Sequence, residues 1–170
     1  MKITKLVKQA DILALENIKN YGLPLIIQYD ISNKVGERLA KKMKADKNIV
    51  AIGTRLMDLK LGEANKLGKR EDHIKMSLDE TKKFLNRHKV PKGIYQVITE
   101  CVSSHHGSKD FNSLEAEICA NADCYRFLTP TGIFAFIVSL GKRGMSFMDS
   151  INFAEDKLNY YSTDGQAQII

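Results

Sequence analysis

Cysteine is scarce in this chain of 170 residues: its three copies, Cys101, Cys119 and Cys124, are odd in number and show no CxxC spacing. That excludes a disulfide framework and a zinc ribbon, and the three read as reduced core thiols. Proline and glycine are also sparse, at 3 and 11 residues, which excludes a disordered or low-complexity chain. Long apolar runs are missing. The longest, GIFAFIVSL at 132–140, is too short to cross a bilayer, and the basic start MKITKLVKQADILALENIKN is broken by Lys8, Asp11 and Glu16 before a signal-peptide core forms. The expected setting is the cytoplasm, without membrane attachment. Histidine is rare as well, yet two of the four stand side by side at 105 and 106.

What is present describes one globule. Hydrophobic residues make up 44% and charged residues 27%, and the length suits a single domain over 1–170 rather than two. The formal charge of +6 suits an anionic ligand such as a nucleotide. The lysines are dispersed (KMKADK, LGKRED, GKRG), without a long basic block or interleaved aromatics, so most of them read as a solvated surface and nucleic acid is not the expected partner. A homodimer is compatible with this composition.

Period-3.6 patterning recurs and alternation is rare, so the expected fold is an all-α bundle of about seven to eight helices. The first spans about 3–20 and stops near Gly22 and Pro24; a second runs from about Ser32 to Lys44. Asp46 caps a third, KNIVAIGTRLMDLKLG, ending at Gly62, before a loop EANKLGKRED. Ser77 and Glu80 have capping-box spacing, as do Asn112 and Glu115, while Pro91 and Pro130 suit first helical positions. DSINFAEDKLNYY completes the set, Gly107 offers a turn, and the tail DGQAQII reads as poorly anchored.

Several polar residues sit where an apolar face is expected. Ile94, Val97, Ile98, Cys101 and Val102 form a stripe that His105 continues, with His106 beside it. Such a pair is explained either by the helix dipole or by metal ligation, imidazole being the commonest metal ligand. Asp123 lies among Ala116, Cys119, Ala120 and Phe127, where a carboxylate needs a cation; Arg126, three residues on, is one candidate and a metal another. Asp58, between Met57 and Leu59, poses the same question. His73 precedes Ser77 and reaches inward from a helix entry, whereas His88 reads as a surface residue.

The order of these residues resembles the HD-domain superfamily, all-α metal-dependent phosphohydrolases, over about residues 28–128. LMDLKLG resembles the His-Asp helix of that family, HIKMS its His-Glu segment, CVSSHHG its I-x-x-H-H segment and NADCYRF its closing Ala-Asp motif. The resemblance implies a divalent ion (Mn, Fe, Co, Ni, Zn or Mg) held by Asp58, His73, His105 and Asp123, with His106 as an orienter or proton donor. Lys60 and Arg126 are then candidate phosphate contacts, and the implied substrate is a nucleotide or another small phosphoester.

The departures are specific. Met57 stands where the family's doublet histidine belongs, and LPLIIQYDISNKVGERL holds no first histidine, leaving Gln28, Asp30 or Glu63 as substitutes. Ile74 replaces the glutamate after His73, and Arg126 an aspartate often found three residues past the closing one. Two readings therefore stand: a phosphohydrolase whose site is rebuilt around the surviving residues, and a catalytically degenerate module that binds a nucleotide or a protein.

Overall fold

A computed structural model describes residues 3–106 and 110–160. The described residues fold as α1 (Ile3–Tyr21), α2 (Ile26–Met43), α3 (Lys47–Leu56), α4 (Leu61–Lys66), α5 (His73–Arg87), α6 (Lys92–Ser103), α7 (Leu114–Cys124), α8 (Pro130–Lys142) and α9 (Phe147–Asn159). Single 3-10 turns at Arg70–Asp72 and Tyr125–Phe127 precede α5 and follow α7, and no strand occurs among these residues. The fold is all-α, as the patterning implies. Gly107 and the tail from Asp164 lie outside the described residues.

The helix starts show which local signals were decisive. Asp46 caps α3 by accepting from the amides of Asn48 and Ile49, and Thr129 caps α8 ahead of Pro130. The Ser77–Glu80 capping box does not form. α5 begins earlier, at His73, and Ser77 is wholly buried inside it, where its Oγ accepts from the backbone amide of Lys60 at 3.0 Å. The Asn112–Glu115 box fails for a similar reason: Ser113 is the cap, accepting from the Ala116 amide, while Glu115 accepts from the Asp46 amide. Long-range partners outbid the local pattern in both. α6 likewise begins at Lys92, with Pro91 as its cap.

Two boundaries moved. α2 starts at Ile26, because Gln28, Tyr29, Ser32, Val35, Leu39 and Ala40 all face inward; its polar members, Gln28 and Ser32, hid the stripe. α3 stops at Leu56, and the segment read as one helix to Gly62 turns at Met57–Lys60 into the short α4.

The core gathers around α3 and α7. Every residue of α7 from Ile118 to Cys124 is buried, and α3 packs against α1, α2, α6 and α7. That closeness needs a glycine. A Cβ at Gly53 would lie 2.6 Å from Cys119 Sγ and 2.7 Å from Cys101 Cβ, so α3 meets α6 and α7 with no room for a methyl group. α8 and α9 form a smaller cluster through Phe136, Leu140 and Ala154, with Phe127 packed on it. No single helix among the described residues is long and apolar enough to cross a membrane. Gly53→Ala is expected to cost about 1–3 kcal/mol through overpacking, read as a lower urea midpoint at unchanged slope; an unchanged midpoint would mean that the three helices yield freely.

Candidate metal centre

The turn after α3, the start of α5 and the end of α6 bring four side chains together. Asp58, His73, His105 and His106 each offer one ligand-type atom, and these atoms all lie within 4.8 Å of one another. Asp58 sits in the turn that the Ser77 hydroxyl ties to α5 through the Lys60 amide, which sets it against His73, the first residue of that helix. His105 is completely buried, while His106 keeps about a third of its side chain exposed.

The backbone fixes which ring nitrogens face inward. His73 Nδ1 lies 2.7 Å from the Arg70 carbonyl oxygen, and His105 Nδ1 lies 2.8 Å from that of Val102. A carbonyl only accepts, so both Nδ1 atoms donate, and in the neutral rings both Nε2 atoms carry lone pairs. Those two Nε2 atoms each lie 3.5 Å from Asp58 Oδ1. All three are buried and lack a hydrogen-bond partner. Three acceptors facing one another repel unless a positive charge stands among them. A proton on one ring relieves a single contact; a divalent cation satisfies the whole group. Ligating histidines held from behind by carbonyls are what metal sites commonly show, so these residues fit the ion that the sequence resemblance implies.

Asp123 is elsewhere. Arg126, in the 3-10 turn after α7, reaches Asp58 Oδ2 with Nη1 and Asp123 Oδ1 with Nη2, both at 2.6 Å. Asp123 Oδ2 accepts from His106 Nε2 at 3.1 Å. Asp123 lies outside that four-residue group here: its carboxylate is divided between a guanidinium and an imidazole, while His106 belongs to the group. Of the two candidate phosphate contacts, Arg126 directs its Nη atoms to the two carboxylates and the Lys60 ammonium pairs with Glu63 at 2.7 Å.

None of the proposed substitutes for the missing histidines enters the group. Glu63 is held by Lys60, Asp30 lines a separate cleft with Lys8 and Lys34, and Gln28 is buried in α2. Met57 is 1% exposed and borders a small space with Ala14, Pro24, Tyr29, Asp58 and Arg126. His88 is half-buried, edge-on to Phe84.

The charges are strongly coupled. Burial alone would raise the carboxyl pKa of Asp58, but the Arg126 guanidinium and His105 outweigh it and hold it well below the usual range. Asp123 is depressed likewise, by Arg126 and His106 acting against burial. Burial lowers His73; at His105 burial is overcome by the Asp58 carboxylate, whose Oδ1 lies 3.5 Å from Nε2, and the pKa rises.

The group opens into a cavity of about 800 Å³. Arg70, Arg143 and Lys157 line it, as do Phe127, Phe136 and Phe153. Sequence reasoning gave none of these a place in the cavity: the GKRG segment that supplies Arg143 reads as solvated surface, and Phe127 only as a neighbour of Asp123.

No family model and no curated protein matches the sequence. The chain's structure is similar to the crystal structure of a predicted HD superfamily hydrolase from an uncultured Thermotogales bacterium, with a TM-score of 0.66 over 98% of this chain and 96% of that one, at 18% identity. At that identity the likeness establishes the fold, and the fold is that of an HD domain.

Arg126→Ala would leave two buried carboxylates without their guanidinium, and the expected loss in chelator-treated protein is about 3–5 kcal/mol by urea unfolding; a loss below about 1 kcal/mol would show that water reaches both. The same pair predicts acid sensitivity. Both carboxyls titrate below their ordinary range when folded, so their contribution is complete above about pH 4 and is lost as pH falls through the depressed native values. Unfolding midpoints of the chelated protein that stay level from about pH 5 to about pH 2 would contradict this.

Proposed function

We propose that the protein is a metal-dependent phosphohydrolase with an HD-domain fold, acting on a nucleotide or another small phosphoester. The observation that supports it most is the set of three partnerless buried atoms, Asp58 Oδ1, His73 Nε2 and His105 Nε2, joined by His106 beside an open cavity. Three imidazoles and one carboxylate favour Mn²⁺, Fe²⁺, Co²⁺, Ni²⁺ or Zn²⁺ over Mg²⁺, which prefers oxygen ligands. An ion held there would acidify water and offset charge on phosphate oxygens.

The chain's own residues supply the rest. Carbonyls of Arg70 and Val102 orient two rings, and Asp123 orients the third. Arg126 draws Asp58 Oδ2 away, so only Oδ1 faces the histidines. Arg70, Arg143 and Lys157 put positive charge on the cavity wall where a phosphate would enter. In the net reaction, oxygen from water bonds to phosphorus, the bond to the ester oxygen breaks, and that oxygen leaves with a proton, giving an alcohol and inorganic phosphate.

A second reading, a non-catalytic binding module, draws support from the buried Met57 and from the salt bridges that engage Arg126 with Asp58 and Asp123. Calorimetric titration of chelator-treated protein with Mn²⁺, Co²⁺ and Zn²⁺, paired with phosphate release from a phosphoester panel, separates the two. The expected result is one ion per chain, abolished by His73→Ala. Asp123→Asn, which loosens the His106 support and weakens the Arg126 pairing, should weaken binding about 10- to 100-fold. Metal binding with no phosphate release would favour the module; no metal binding would end the phosphohydrolase reading.

A further inference from the structure

The cavity beside the metal group has an unusual lining. One part is cationic: Arg70, Arg143 and Lys157. Arg70 bonds the neutral Asn65 side chain, and its pKa is lowered first by desolvation and then by the nearby Arg143. Arg143 has its Nε bonded to the Ser139 carbonyl. Two guanidiniums and an ammonium lining one cavity make a site that an anion stabilises. Glu71 and Asp58 are the acids in the same lining, and Asp58 already serves Arg126.

The remaining wall is apolar. Phe127, Phe136 and Phe153 are joined edge to face and side by side, with ring centroids 5.0 Å apart for the first pair and 5.9 Å for the second. Leu61, Leu140 and Met145 extend the surface. Phe127 also lies 5.4 Å from the Arg126 guanidinium carbon, so the apolar wall begins at the edge of the metal group. Among the described residues lining the cavity none is Ser, Thr, Asn, Gln or Tyr. The hydroxyls of a sugar and the edges of a base would find no neutral hydrogen-bonding side chain among them, and resting those groups on the phenylalanine wall would be costly. A hydrocarbon would lose nothing.

We infer that this cavity binds a phosphate monoester whose organic part is apolar, an alkyl or aryl phosphate, with Arg70, Arg143 and Lys157 on the phosphate and the Phe127–Phe136–Phe153 wall on the hydrocarbon. The inference rests on the phosphohydrolase reading for where the phosphate sits, and it narrows the substrate away from nucleotides. Phe153, 41% exposed, is the accessible end of the wall.

The test titrates the full chain, loaded with Mn²⁺, with butyl, hexyl and octyl phosphate below their micelle concentrations, and with ribose 5-phosphate and inorganic phosphate. Phosphate release is followed in parallel. Affinity should rise about threefold per added methylene, with ribose 5-phosphate no tighter than inorganic phosphate. Phe153→Ser should flatten the chain-length dependence. Arg143→Gln should weaken every member of the series about equally. Phe134→Ser, at a position on α8 that is 69% exposed and outside the lining, should change neither. A flat series, tighter binding of ribose 5-phosphate than of octyl phosphate, or a slope that only Phe134→Ser removes would overturn the inference. Its failure is separable from that of the activity: chain-length-dependent binding without phosphate release upholds the cavity assignment and refutes hydrolysis, whereas release with a flat series does the reverse.

Discussion

Between Asp58 and Asp123 lies a single guanidinium, and most of what the site can do follows from it. Arg126 takes one oxygen from each carboxylate at 2.6 Å, in a place where all three residues are at most 5% exposed. Two negative charges against one positive leave the cluster short of a cation. The deficit is felt on the far oxygens, and Asp58 Oδ1 is the one that faces His73 and His105. Buried ion pairs contribute little net stability because desolvation opposes them. What this one contributes is polarity: it closes the space between the carboxylates and turns the remaining demand for charge toward the imidazoles.

That demand is local, and the cavity wall has the opposite sign. Arg70, Arg143 and Lys157 face the same space as the histidine group. A site that seeks a cation at one point and an anion beside it suits a ligand bridging the two, as a phosphate on a metal ion does. The folding of the chain makes the juxtaposition. The histidine group belongs to α3, α5 and α6, whereas Arg143 and Lys157 come with the smaller α8–α9 cluster, whose Phe136 packs against Phe127 in the turn that carries Arg126.

Much of the fold was legible because helical periodicity survives wherever one face is apolar. α1, α8 and α9 read correctly from patterning and caps. α2 was shortened because Gln28 and Ser32 break its stripe, and α5 was misplaced because the Ser77 hydroxyl serves the Lys60 amide, a partner seventeen residues away. At the site, burial of Asp58, His105 and Asp123 could be read from their apolar neighbours. How the two aspartates divide could not. Sequence spacing allowed Asp123 either a metal or Arg126, and the choice depended on where a 3-10 turn aims one guanidinium. The cavity wall was invisible for a related reason: its cations and aromatic rings come from segments far apart in sequence, and each has an ordinary local explanation.

The two departures from the HD pattern, Met57 and Arg126, are best understood as one change. With a histidine at 57 and an aspartate at 126, the resemblance would place three carboxylates around Asp58 and Asp123, a charge that only a metal ion could hold in the interior. An arginine at 126 reverses the sign of one of them and supplies a fixed cation to the other two. No ion is then needed between the carboxylates, and a ligand at 57 has nothing to bind; a thioether packed beside Ala14, Pro24 and Tyr29 serves the core instead. The opposite side of Asp58 gains no such substitute. His73 and His105 turn unpartnered Nε2 atoms toward it, and His106 completes the four-residue group. That side of Asp58 therefore keeps an arrangement that a divalent cation would satisfy.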